Sequence, residues 1–379
     1  MPAFYNLLAD KQWLIVLLIF FLAFAVQLFY YFGIYIRFVF YKQNPEPSIQ
    51  EPVSVIICAR NEADNLDNYL PDILSQDYPE YEVIVVNDCS TDDTDGVLKK
   101  YMELYPRLRT SHIKEDKKFS HGKKLAVTIG IKAAKYDRLL FTDGDCKPEG
   151  NQWLGLMSSH FSDRVAIILG YGGYFPQPGF LNKYIRYDTL VIALQYFSFA
   201  LCRIPYMGVG RNLAYKRSLF YTGKGFSNHY HLASGDDDLF VNENATKTNT
   251  AIEFSHVSHT RTAPKESYDK WFFQKKRHFT TNKLYKPAHK ILLALEPISR
   301  LLFYAGFATL MFIPVYQTLI ISLFAFRMLV QLFVIKKTMI RLNEKNLLLI
   351  SLLFDLLSLF INFGLLITSR IRPSNYQWK

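Results

Sequence analysis

The stretch "LLFTDGDCKPEG", residues 139–150, runs from apolar residues into two carboxylates, Asp143 and Asp145, separated by one glycine. A solvated turn is the plainest use of such a sequence, since Asp and Gly both favour turns. Two further apolar runs end the same way, however. "VSVIICA" leads into "RNEADN" with Arg60 and Glu62, and "YEVIVV" leads into "NDCSTDDT" with Asp88. A crevice lined by Asp88, Asp143 and Asp145 suits a divalent cation, because carboxylates are hard ligands and Mg2+ takes a few of them together with phosphate oxygens. The partner ligand is then expected to be a diphosphate. "SHGKKLAV" offers it a counterpart: Gly122 lets the backbone approach, and Lys123 or Lys124 opens a helix whose N-terminus favours anions.

These side chains need elements to hold them. The runs in 53–59, 81–94 and 137–146 are short, β-branched and bounded by polar turns, the pattern of central parallel strands buried on both faces. Helical patterns lie between them, over Asn65 to Ser75, Asp92 to Tyr105 and Gly122 to Ala134. Strands alternating with helices predict an α/β fold with a doubly wound, mostly parallel sheet. Ligands bind such sheets beyond the carboxyl ends of the strands, which is where the polar residues cluster.

Composition adds a membrane. Of 379 residues, 50% are hydrophobic and 16% aromatic, rich for a purely soluble protein. The segment from Trp13 to Ile36 carries no charge and is long enough to cross a hydrocarbon core of roughly 30 Å. Leu301 to Val315, Tyr316 to Ile335 and Leu347 to Thr368 predict about three more spans, the first two forming a helical hairpin. Arg327 and Asp355 fall inside these runs and are expected to face protein. "PAHKILLALEPISR", within Lys283 to Ile298, has the basic and apolar mixture of an interfacial helix. The expected organisation is an N-terminal anchor over 1–48, a polar mixed domain over 49–287, and an interfacial segment with the remaining spans over 288–379.

The net charge of +11 could suggest nucleic acid, but no basic stripe interleaved with aromatics is present. Anionic lipid and diphosphate are the expected partners instead, with Lys336, Lys337, Arg341 and Lys345 marking the cytoplasmic side of the spans. The four cysteines form no CxxC pair, which argues against zinc and a disulfide framework and for reduced thiols in the cytosol.

Taken in order, "ARNEADNL", "VVNDCSTDDT", "HGKKLAV" and "FTDGDCKP" resemble the motifs of inverting family 2 glycosyltransferases with a GT-A fold. "SGDDDLF" at 234–240 resembles their acidic general-base motif, and "QKKRHF" at 274–279 resembles the QxxRW element of the membrane-embedded branch. That branch includes cellulose, chitin and hyaluronan synthases and ceramide glucosyltransferase. The resemblance covers roughly residues 50 to 285. It implies that Asp88 contacts the uracil or ribose of a nucleotide sugar with Arg60 and Glu62 nearby, and that Asp143 and Asp145 are the DxD pair, Asp145 being the more direct ligand of Mg2+ or Mn2+. It further implies that Lys123 touches the diphosphate or donor sugar. Asp237 would take the acceptor's proton, while Gln274 and Arg277 hold the acceptor end and the leaving diphosphate.

This sequence departs from the pattern in three places. Asn87 stands where the family often has a second acid beside Asp88. Asp236, Asp237 and Asp238 form a run whose register the sequence leaves open. His278 replaces the tryptophan of QxxRW, removing an aromatic wall from the acceptor site. The expectation is therefore a multi-pass enzyme of the cell (inner, cytoplasmic) membrane with a cytosolic catalytic domain. It would transfer a sugar from a UDP-sugar to a lipid-linked or growing glycan acceptor. A processive polysaccharide synthase and a non-catalytic nucleotide-sugar-binding protein are the rival readings.

Overall fold

The computed structural model describes residues 11–43, 50–114 and 122–371. Helix α1 covers Lys11–Leu28 and runs on through a π-helical stretch, Phe29–Tyr35, into Ile36–Phe40. The domain that follows alternates strand and helix: β1 (Val53–Ala59), α2 (Ala63–Leu74), β2 (Tyr81–Asp88), α3 (Thr94–Leu104), β3 (Leu108–Ile113), α4 (Lys123–Ala133) and β4 (Arg138–Asp143). Every residue of β1 and β2 is buried, which is why both read as continuous apolar runs.

Strand pleating sends alternate side chains to opposite faces. Val55 and Ile57 pack with Leu66, Leu70 and Leu98 of α2 and α3, whereas Ile56 packs with Ala126, Val127 and Ile131 of α4. The sheet is thus covered on both sides. Gly130 permits the close approach of α4, since a Cβ there would sit 2.5 Å from Ile56 Cγ2. The first four strands are parallel, in the order β3-β2-β1-β4, with Cys58 beside Asp143 and Ala59 beside Asn87. That register brings the ends of three strands to one edge.

Further strands are short: β5 (Cys146–Pro148), β6 (Ile167–Leu169), β7 (Gly172–Tyr174), β8 (Leu213–Lys216), β9 (Thr250–Ile252) and β10 (Thr260–Thr262). Antiparallel β8 joins β4 and carries β6 and β9, completing a seven-stranded sheet, while β5, β10 and β7 make a separate three-stranded one. Helices α5 (Phe180–Leu201), α6 (Asp238–Asn244) and α7 (Tyr268–Phe279) complete the domain. Three-residue strands carry too little periodicity to be read from sequence.

The chain closes with α8 (Pro287–Leu310), α9 (Gln317–Arg341) and α10 (Ile350–Ile371). Four helices among the described residues are long and apolar enough to cross a membrane: Gln12–Phe40, Pro287–Leu310, Pro314–Arg341 and Ile350–Thr368. The interfacial segment expected over Lys283 to Ile298 is not a separate helix. Pro287, preset for the first helical position, opens one continuous helix that takes in both that segment and most of the span expected after it. Arg327 and Asp355 do face protein: they pair at 2.9 Å, Arg300 also donates to Asp355 at 2.7 Å, and Arg327 donates to Gln27 Oε1 of α1 at 3.0 Å. The basic C-terminal tail, with Arg372 and Lys379, lies outside the described residues, as does His121 of the "HGKKLAV" motif.

Candidate active site

The loops after β1 and β2 are stitched together by side chains. The Asn61 N–H donates to Ser90 Oγ at 2.9 Å, the Thr91 N–H to Asn61 Oδ1 at 2.8 Å, the Ala63 N–H to Asp92 Oδ2 at 3.0 Å, and the Glu62 N–H to Thr94 Oγ1 at 3.1 Å. Asn61 and Cys89 both take left-handed backbone (φ 55° each), which turns each loop sharply off its strand. Asp88 is fully buried at the end of β2, and Arg60 lies at the end of neighbouring β1. Buried Glu62 accepts from Asn65 at 2.5 Å and packs its aliphatic carbons against Gly144, between the two acids of "DGD". These three residues therefore share one edge with Asp143.

A cavity opens beside that edge, and Lys123 stands in it. Its Nζ lies 2.7 Å from Asp143 and 3.0 Å from Asp236. Burial works against the ammonium charge, but Asp143, Asp236 and Asp237 outweigh it and hold the lysine well above its ordinary pKa. Burial likewise disfavours a charged Asp236, yet the adjacent Lys123 keeps that carboxyl below the usual range. Lys124 has a different task. Its ammonium donates to the carbonyls of His229 at 2.5 Å and Leu232 at 3.2 Å, pinning the loop that leads to the acidic run.

The three consecutive acids diverge. Asp236 faces Lys123. Asp237 caps α6, accepting the Asp238 N–H at 2.7 Å and the Gly210 N–H at 2.7 Å. Burial, then the charges of Asp236 and Asp238, push Asp237 up to about 7. Asp238 turns inward and accepts hydroxyls from Thr281 at 2.5 Å and Tyr285 at 2.8 Å, just beyond α7. Asp236 and Asp237 thus line the cavity, and Asp238 fastens the segment after α7 to α6.

Helix α7 brings Gln274, Arg277 and His278 to the same cavity. It starts at Ser267, whose hydroxyl accepts the Lys270 N–H at 3.3 Å, and is held to α5 by a Lys275–Asp188 ion pair and an edge-on Trp271–Tyr184 contact. Lys123, Asp143, Asp236, Asp237, Gln274 and Arg277 are therefore brought together around one space. Arg60, Glu62, Asp88 and Asp145 sit along the adjoining strand-end edge rather than in its lining.

Two wall residues escaped the sequence reading. Arg211 lies in the turn before β8, its guanidinium 4.4 Å above the ring of Tyr174 from β7. Gly210 keeps the space beside it open, since a Cβ there would meet Lys123 Nζ at 3.1 Å and Asp237 Oδ2 at 3.2 Å and push them back slightly. The repeated glycines of "GVGRN" were the one available signal, and a weak one.

Asp143, Asp145 and Cys146 bring one donor atom each within 4.8 Å of one another. Burial, with Asp145 and Asp143 adding to it, pushes the Cys146 thiol well up, and a soft sulfur suits a hard cation poorly. Two carboxylates then remain for a hard cation that takes its other ligands from phosphate and water, and the donor set fits Mg2+ or Mn2+.

Residues 54–223 match the family description "Glycosyl transferase family 2". Residues 54–223 therefore resemble a family 2 glycosyl transferase domain. Over 212 residues this chain is 31% identical to the glycosyltransferase AglE of Haloferax volcanii, covering 54% of this chain and 64% of AglE. Over 123 residues it is 30% identical to poly-beta-1,6-N-acetyl-D-glucosamine synthase of Staphylococcus aureus, covering 31% of this chain but 28% of the synthase. The chain thus spans less than two thirds of the length of either relative. Among solved structures, the mannosyltransferase PcManGT from Pyrobaculum calidifontis, in complex with GDP-Man and Mn2+, is similar over 87% of this chain and 98% of that one, with 19% identity and a TM-score of 0.57. The domain therefore has a GT-A-like fold, with a mixed sheet dominated by parallel strands.

Proposed function

We propose that the chain is a membrane-bound inverting glycosyltransferase that moves a sugar from a nucleoside diphosphate donor, UDP-linked in the first instance, to a lipid-linked or glycan acceptor. The observation that carries this reading is Asp237. It is a half-buried carboxylate with a pKa of about 7, lining the cavity that also holds Lys123, Asp143 and Arg277. A general base works best with a pKa near the operating pH. Asp237 takes the proton of an acceptor hydroxyl as that oxygen attacks the anomeric carbon from the face opposite the diphosphate. The bond from that carbon to the phosphate oxygen breaks, the nucleoside diphosphate departs, and configuration inverts.

Lys123, Gln274 and Arg277 stand where they can hold the departing phosphates and the acceptor, and Arg60, Glu62 and Asp88 where they can hold the nucleoside. Asp143 and Asp145 would hold Mg2+ or Mn2+, which supplies charge neutralisation of the diphosphate leaving group. A protein that only bound nucleotide sugar would have no use for a poised base in the cavity.

The four apolar helices support a membrane setting. The domain connects to the end of α1, the start of α8 and the α9–α10 loop, so four crossings put all three on one side of the bilayer. Arg37, Lys42, Lys286, Lys336, Lys337, Arg341 and Lys345 cluster at that end, which favours a cytosolic domain in the cell membrane. Outward apolar residues such as Leu18 and Leu22 of α1 and Phe360 and Phe363 of α10 fit lipid contact.

The test is nucleoside diphosphate release by purified full-length protein in detergent, across UDP-Glc, UDP-GlcNAc, UDP-Gal and GDP-Man, with Mg2+ or Mn2+. Release that one donor supports and Asp237→Asn abolishes is expected. Nucleotide-sugar binding without release from any donor, with membrane extract supplied as acceptor, overturns the reading in favour of a binding protein.

A further inference from the structure

The connection between α9 and α10 joins two candidate spans, yet it reaches into the catalytic domain. It turns through two left-handed residues, Asn343 (φ 51°) and Asn346 (φ 61°), and between them presents Glu344. The Glu344 side chain is wholly buried. One carboxylate oxygen accepts Arg186 Nε at 2.8 Å and Nη2 at 2.5 Å, a two-pronged contact with α5. The other accepts the Tyr171 hydroxyl at 3.0 Å and Arg261 Nη1. Both arginines also hold the loop's backbone: Arg186 donates to the Lys345 carbonyl at 3.0 Å and Arg261 to the Asn343 carbonyl at 3.2 Å. Such paired, planar contacts fix geometry as well as charge.

Arg261 leads on to the cavity. It lies on β10, the middle strand of the small sheet, whose neighbours are β5, beginning one residue after Asp145, and β7, ending at Tyr174. Arg261 Nη1 also donates to the Tyr174 carbonyl at 3.3 Å, and Tyr174 carries Arg211 on its ring in the cavity wall. Gly173 makes the contact possible, since a Cβ there would sit 2.6 Å from Arg261 Nη1.

We propose that Glu344 is a positioning residue for the transfer reaction: from the loop between two candidate spans it sets Arg261, and through it the Tyr174–Arg211 wall of the cavity that Asp237 also lines. The inference rests on the glycosyltransferase reading for its kinetic arm only. Small displacements of groups around a reacting centre cost rate rather than donor affinity.

The experiment compares Glu344→Gln, Glu344→Asp and Tyr171→Phe with wild type in the full-length protein, alone and combined with Arg211→Ala. Nucleoside diphosphate release and hydrogen exchange of the 171–175 and 259–262 segments are both followed. Glu344→Gln should cut kcat about tenfold or more per folded molecule with donor KM within about threefold, and Glu344→Asp should recover part of the loss. Tyr171→Phe, which uncovers no charge, should cost about two- to threefold and serves if Glu344→Gln does not fold. In the Arg211→Ala background the Glu344 substitutions should cost little more, because both act on one wall. Additive losses, or kcat that merely follows the folded fraction, overturn the proposal. If wild type releases no nucleotide, the functional reading fails separately, and unchanged exchange at 171–175 and 259–262 in Glu344→Gln then overturns the positioning role by itself.

Discussion

The two halves of the site are built differently. Arg60, Glu62, Asp88 and Asp143 each sit at the end of a strand or in the loop just after it, and the loops around them are cross-braced by four side-chain to backbone hydrogen bonds. Their placement follows from pairing among β1, β2 and β4 in a fully buried sheet. Asp236, Asp237, Gln274 and Arg277 depend instead on contacts between distant segments: Asp238 to Thr281 and Tyr285, Lys275 to Asp188, and Gly210 to Asp237. The half proposed to hold the donor is preorganised by the sheet. The half proposed to supply the base and hold the acceptor is a docked assembly whose helix α7 keeps Tyr268 and Phe273 exposed. Substitutions in the first half should therefore act on binding, and those in the second on turnover.

Asp237→Asn tests this division most strongly. Turnover should fall roughly 10²-fold or more while donor binding is kept, the usual scale for losing a positioned base. Wild-type kcat should rise with pH through about 7 as Asp237 ionises, and the variant should lose that inflection. Stability should move the other way. The folded pKa is raised above that of an unfolded aspartate, so the stability Asp237 contributes is present at low pH and lost as pH rises through about 7. Asparagine carries no such charge and still caps a helix, so the variant should melt higher than wild type at pH 8. A melting point lower at pH 8 than wild type would contradict the raised pKa.

On the donor side, Asp145→Asn should weaken UDP binding about tenfold in the presence of Mn2+ and leave cation-free binding unchanged, because the lost carboxylate acts through the metal. Equal affinity for UDP with and without cation in the wild type would remove Asp145 from that role. Gln274→Ala and Arg277→Ala should each lower kcat about tenfold with donor KM within about threefold, as groups acting mainly in the transition state. A pure rise in donor KM would transfer α7 to the donor half.

The smallest effect is expected from Asp238→Ala. It leaves the Tyr285 hydroxyl without its acceptor and the Thr281 hydroxyl with only the His278 carbonyl, at a cost of about 1–3 kcal/mol, which a denaturant melt measures. Turnover should drop severalfold as the segment after α7 loosens. If donor affinity falls in parallel, the two halves are coupled more tightly than their contacts suggest.

Legibility followed the same division. The runs in 53–59, 81–94 and 137–146 announced buried parallel strands, and the helices between them were readable to within a residue or two at most ends. The acidic run was readable as a motif but not in register, since three identical side chains differ only in what they touch. Arg211 had only the weak signal of the glycines before it, and Tyr174 had none, because the pairing of β7 with β10 joins residues far apart in the chain. The interfacial segment merged into α8 because a basic, apolar stretch and an apolar stretch beyond it share one helical period.

By itself, then, the sequence determined the central strands β1, β2 and β4, the strand-end acids and the four apolar helices, because each is a local pattern of hydrophobicity and turn chemistry. The tertiary structure alone decided that Asp236 faces Lys123, that Asp237 accepts two N–H groups in the cavity, and that Asp238 and Glu344 anchor distant segments. An aspartate's or glutamate's role is fixed by burial and by the charges beside it, and both are properties of the folded chain.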